Sequence, residues 1–132
     1  KMEVGTVHEI NATVEENMTA ENMKSGSLPV LATPFMIALM EQASAELCQQ
    51  FLPDGISTVG TMVNIQHLAA TSLGAPVRTV ATLTAFDGRK ASFDVVSYDN
   101  AGVIGKGTHE RFTIKVKKKK KKAAYRKNTV GE

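Results

Sequence analysis

The pattern of hydrophobic and polar positions divides the chain into a strand, a loop, one long helix and four more strands. Residues 3–14, E-V-G-T-V-H-E-I-N-A-T-V, are rich in β-branched side chains and predict the first strand. Residues 15–32 mix Glu, Asn, Met, Ser and Gly without a period and predict a loop, with one helical turn at T-A-E-N-M. Residues 33–52 predict the helix. Thr33 followed by Pro34 is a helix-start pair, with the threonine as N-cap, and Pro53-Asp54-Gly55 is a stop. Between them Phe35, Met36, Ile37, Leu39, Met40, Ala43, Leu47, Cys48, Phe51 and Leu52 leave no polar stripe, so the helix is expected to be wrapped by other structure. Residues 57–70, 77–86, 90–99 and 103–116 read as strands two to five. T-S-L-G-A-P, Asp87-Gly88 and Asn100-Ala101-Gly102 are the turns between them, and Asp-Gly is a signal for a type I′ hairpin. Such short links force antiparallel pairing. The expected fold is α+β, a five-stranded antiparallel sheet curled around one long central helix.

Composition and charge narrow the picture. A chain of 132 residues forms one domain, and 42% hydrophobic with 22% charged residues is ordinary for a soluble globular protein. No apolar run reaches membrane-spanning length, and no secretory signal pattern opens the chain. Lys1 in place of methionine reads as a trimmed or partial chain. One cysteine, Cys48, excludes an internal disulfide and a multi-cysteine zinc site, and a reducing, cytoplasmic setting is the default expectation. The net charge of +3 is unevenly spread. Residues 117–132 hold eight Lys/Arg against one acid, whereas residues 1–116 hold eight against twelve. The basicity therefore belongs to a tail carrying six consecutive lysines, Lys117–Lys122, which reads as disordered, solvated or appended. The domain proper is residues 1–116, and neither nucleic acid nor membrane is an expected partner.

Four places could carry chemistry. Glu41 interrupts the apolar helix, where a carboxylate is costly unless it is partnered or its burial is useful to a nucleophile or general base. Thr33 reads as a cap whose helix terminus could also stabilise an oxyanion. His67 ends an apolar strand and becomes interesting if Thr33 or Glu41 approaches it. His109 and Arg111 share one face of the last strand, where Arg111 could orient a carboxylate or a ligand phosphate. His8 reads as a strand residue and Cys48 as packing. The three histidines are too scattered for a metal site. Thr33 and Glu41 lie eight residues apart, about 12 Å along an unbroken helix. Either Thr33 folds back, or the two serve different ends of one site, or one of them works with a partner subunit.

Together these residues resemble a known family. A-T-P-F-M-I-A-L-M-E-Q-A at 32–43, V-G-T-M-V-N-I-Q-H-L-A-A-T at 59–71 and G-K-G-T-H-E-R-F at 105–112 are similar to the fluoroacetyl-CoA thioesterases, which have the hotdog fold. The resemblance implies that Thr33, Glu41 and His67 form the catalytic set. It also implies that Gly60 lets the acyl group approach the backbone and that Arg111 contacts substrate. The expected activity is hydrolysis of an acyl-CoA thioester with a small acyl group, by a homodimer whose further pairing into tetramers is left open. No cofactor is expected beyond the CoA carried by the substrate. The alternative is a non-catalytic acyl-CoA or small-ligand binding module, with Glu41 held in a static ion pair. Lys24 and Ser27 stand where the fluoroacetyl-specific pattern has aromatic lid residues, and Pro34 replaces a glycine, so fluoroacetyl selectivity is not implied.

Overall fold

The computed structural model describes residues 1–130. Strands β1 (Val7–Thr13), β2 (Ile56–His67), β3 (Pro76–Phe86), β4 (Lys90–Asp99) and β5 (Gly102–Lys115) form one sheet in the order β1-β3-β4-β5-β2, antiparallel throughout. Tight turns make β3-β4-β5 a meander, which leaves the two earlier strands to occupy the edges. Among the described residues three α-helices accompany the sheet, α1 (Ala20–Met23), α2 (Thr33–Gln49) and α3 (Val116–Asn128), with a 3-10 turn at Glu16–Met18. The expected α+β plan of five antiparallel strands around a long helix is the one adopted.

The core is a seam between α2 and one face of the sheet. Met36, Leu39, Met40, Ala43, Leu47 and Cys48 recur at helical spacing and meet Val77, Ala81, Leu83, Phe93, Val95 and Ile104. Burying one such Leu or Phe side chain contributes about 1.5–3 kcal/mol. The helix is nevertheless not wrapped on all sides, contrary to expectation. Its buried residues make one stripe, and Thr33, Pro34, Ala38 and Gln42 on the other side are exposed. A single five-stranded sheet covers one face of a helix, so the apolar remainder is left for something else.

Local corrections follow from hydrogen bonding. β1 starts at Val7 because Gly5, at φ 94°, turns the chain and gives its N–H to Leu83 O at 2.8 Å. β2 stops at His67, three residues early, because the Leu68 and Ala69 N–H groups both turn to Ile104 O. The Asp87-Gly88 hairpin is not type I′, which needs positive φ at both central residues. Only Gly88 has it, and Asp87 Oδ1 instead accepts from the N–H groups of Arg89 and Lys90 at 2.9 and 2.7 Å. Where an irregular tail is expected, the lysine run forms α3, of which no residue is buried.

Candidate active site

Thr33 is the first residue of α2, and Ala32 occupies the N-cap without a side-chain bond. The expectation that Thr33 caps the helix is therefore overturned, and the reason matters. Its hydroxyl is released from the backbone and hydrogen-bonds His67 Nδ1 at 2.8 Å. His67 is placed there as the last residue of β2, next to the point where the chain bends over Ile104. Its Nε2 is buried and has no hydrogen-bond partner. Burial holds the imidazole pKa below its ordinary value, and the Ala69 backbone partly opposes this. The helix start offers fewer donors than expected. Pro34 has no N–H, and the Phe35 and Met36 N–H groups both go to Ala32 O, at 3.1 and 3.0 Å. That leaves Thr33's own N–H and the unpartnered His67 Nε2 as groups able to meet a developing negative charge.

The second cluster forms where α2 crosses β2 and β5. The Arg111 side chain donates through Nε to Thr58 Oγ1 at 2.8 Å and through Nη2 to Thr58 O at 3.1 Å. Its Nη1 donates to His109 Nε2 at 3.2 Å. Because a guanidinium only donates, that ring nitrogen must accept, so His109 is neutral and its Nδ1–H donates to Met62 O at 2.7 Å. Burial and the neighbouring Arg111 charge keep the His109 pKa low. Glu41 Oε2 approaches Arg111 Nη1 at 3.9 Å, with 42% of the glutamate side chain exposed. The sequence allows either a buried or a partnered carboxylate; in the single chain Glu41 stands at the margin of the core. Gly60 completes the cluster. A Cβ there would lie 2.7 Å from Glu41 Oε2, 3.2 Å from His109 Cε1 and 3.3 Å from Arg111 Nη1. Glycine is what lets the carboxylate approach the strand.

The structure thus joins Thr33 to His67 and Glu41 to Gly60 and Arg111, but it does not join the two groups within one chain. Gly60 and His67 are seven residues apart on β2, about 23 Å at strand rise. The part of His109 went unread in the sequence, although its alternation with Arg111 on β5 was the signal. Thr58 had none. Among the described residues no group of three His, Cys, Asp or Glu side chains could hold a metal ion, and no helix is long and apolar enough to cross a membrane. Cys48 is buried, its thiol pushed up to about 11 by desolvation, which keeps it protonated and inert.

The family of fluoroacetyl-CoA-specific thioesterases matches the chain over residues 14–117. The chain belongs to that family. The fluoroacetyl-CoA thioesterase of Streptantibioticus cattleyicolor is 39% identical over 89 residues, 67% of this chain, and the chain spans 64% of that relative's length. A structure of a fluoroacetyl-CoA thioesterase mutant with fluoroacetate is 31% identical, covers 95% of this chain and 98% of its own, and superposes with a TM-score of 0.89. A Thermus thermophilus protein described as a thioesterase superfamily member is 29% identical, with a TM-score of 0.83 over 96% of this chain and 93% of its own. The hotdog-like protein of Thermanaerovibrio acidaminovorans, 23% identical with a TM-score of 0.85 over 98% of this chain and 94% of its own, supports the fold.

Proposed function

We propose that the protein hydrolyses an acyl-CoA thioester at a site shared between two copies of the chain. The observation that carries this reading is the Thr33–His67 pair, a reactive hydroxyl on an imidazole whose other nitrogen is buried and unpartnered. Structures of the related fluoroacetyl-CoA thioesterase with acetyl-CoA, and with fluoroacetate and CoA, support the substrate class. Fluoroacetyl selectivity is not carried over at this identity.

What one chain leaves open supports a dimer. β2 is an edge strand with Val63 46% exposed, and the uncovered side of α2 lies beside it. If two β2 strands pair antiparallel about a two-fold axis between Val63 and Asn64, Gly60 falls opposite His67 of the partner subunit. Each Glu41–Gly60–Arg111 cluster then faces the partner's Thr33 and His67, and the third of the arrangements left open by the helix spacing applies.

In that site the carbonyl sits against Thr33. The hydroxyl donates to His67 Nδ1, which places the ring proton on Nε2, ready for an acceptor. In the direct route Glu41 takes a proton from water, water oxygen attacks the carbonyl carbon and the C–S bond breaks. The proton on Glu41 passes to the departing thiolate, while His67 Nε2–H donates to the oxyanion that forms on the carbonyl. In the covalent route the carboxylate itself attacks the carbonyl carbon and the C–S bond breaks; water then cleaves the anhydride to the free acid and the Glu41 carboxylate, and its proton goes to the thiolate. No metal enters either route. The binding-module alternative requires a static Glu41 ion pair. The 3.9 Å contact is too long for a hydrogen bond, and Arg111 spends its good geometry on Thr58 and His109.

Subunit mixing tests both the chemistry and the sharing. Thr33→Ala and Glu41→Ala should each abolish thiol release from acyl-CoA. Denatured and refolded together, they should recover about a quarter of wild-type activity, because each mixed dimer keeps one intact site. Inactive mixtures of properly folded dimers would refute the shared site.

A further inference from the structure

Resting on the thioesterase reading, we infer that the acyl group cleaved is an aliphatic chain of roughly four to eight carbons, held in the cavity beside Thr33 and His67. Thr33 and His67 both line a cavity of about 280 Å³ that opens to solvent. Its other walls include Ala20, Val30, Leu31, Leu68, Ala69 and Ala70, with Ser25 the remaining lining residue. There is no aromatic ring and no charged group among them. A thioester whose carbonyl rests at Thr33 must send one of its two arms here. The pantetheine arm carries two amides, to which the side chains of the walls other than Thr33 and His67 offer only the Ser25 hydroxyl, so it would give up hydrogen bonds to water. The acyl arm loses nothing. A water molecule occupies about 30 Å³ in the liquid, so the space holds several methylene-sized groups and an acetyl methyl leaves most of it unfilled.

The wall is held by backbone hydrogen bonds. Residues 19–31 fold back on themselves through a Thr19–Leu31 bridge, Ala20 N–H to Val30 O at 2.8 Å and Glu21 N–H to Leu28 O at 3.1 Å. Leu31 N–H then donates to Thr71 O at 2.8 Å, and Thr71 Oγ1 donates to Asp99 Oδ2 at 2.9 Å, which ties this wall to the one carrying Ala69 and Ala70. Lys24 holds the corner at φ 60°, and the N–H groups of Ser25 and Gly26 converge on Ala20 O. A cavity of small aliphatic side chains on a hydrogen-bonded frame selects by length and apolarity.

The test is thiol release from acetyl-, butanoyl-, hexanoyl-, octanoyl- and fluoroacetyl-CoA, read as kcat/KM. The expected result is a rise of about fourfold per added methylene up to six to eight carbons, the equivalent of ~0.8 kcal/mol each. Ala69→Phe, at an exposed position without a positive φ, should lower the hexanoyl-to-acetyl ratio at least tenfold. Leu68→Ala should move the optimum to longer chains, with melting curves confirming that both variants fold. A wild-type optimum at acetyl or fluoroacetyl, or a ratio unchanged in both variants, overturns the inference alone. Failure to cleave any acyl-CoA overturns the thioesterase reading and this inference with it.

Discussion

The two halves of the proposed site are built in opposite ways. Arg111 and His109 are firmly anchored: three of the five guanidinium N–H groups go to Thr58, twice, and to the imidazole, and the imidazole bonds Met62 O on its far side. Only the Glu41 carboxylate at the edge of that network is loosely held. The Thr33–His67 pair stands on a single side-chain bond, with one ring nitrogen left over. Support is concentrated beneath the carboxylate, and unsatisfied capacity is concentrated around the imidazole. A reacting carbonyl needs both, a charge that stands on a rigid support and a donor with nothing yet to donate to.

Removing the reactive members should have the largest effect. Thr33→Ala and His67→Ala should each lower kcat by at least about 100-fold, a loss of ~2.7 kcal/mol of transition-state stabilisation, in steady-state thiol release. Melting temperatures should barely move, because the Thr33 side chain is exposed and caps nothing. Arg111→Ala reverses that profile. Emptying a buried site and orphaning His109 Nε2 should cost about 2–4 kcal/mol in urea unfolding, with activity lost as a consequence. If Arg111→Ala leaves stability intact, the comparison fails.

Gly60→Ala probes the junction. The nearest atom to the new methyl is the end of a flexible carboxylate, so the fold should survive while Glu41 is displaced. A drop in kcat of about tenfold with little change in melting temperature is expected. Gly107→Ala, whose methyl would strike the Asn64 backbone oxygen, should instead break the β2–β5 pairing and unfold the chain.

Acid should then loosen both halves. His67 and His109 have pKa values lowered by burial, so the unfolded chain binds protons first as pH falls below about 6.5. Their contribution to stability is complete above that pH and declines down to their folded pKa values, a trend that urea midpoints measured from pH 7.5 to pH 5 should show. His109→Asn should reduce the slope. The smallest effect belongs to α3. Deleting residues 117–132 should change stability by less than about 0.5 kcal/mol, because no residue of that helix is buried.

Much of this frame was legible in the chain. Pro34 near the start of α2, the helical turn at T-A-E-N-M and the glycine turns before β4 and β5 are local events, decided by residues next to one another. So were the two sharing rules that mattered most: His109 and Arg111 alternate onto one face, and Thr33 and Glu41 are too far apart along one helix to touch. The bulge between Gly60 and Met62 was not legible, nor was the end of β2 at His67, because both depend on which partner takes a backbone N–H.

What the sequence determined alone was therefore the order of elements and the identity of the reactive groups, since periodicity and turn chemistry act over a few residues. Which groups meet was decided by tertiary structure. Thr33 gives up capping only because β2 brings an imidazole to it across 34 positions of chain, and Glu41 stays at the margin only because the sheet covers one side of α2. Contacts of that kind arise from burial and register over the whole domain, and no local stretch encodes them.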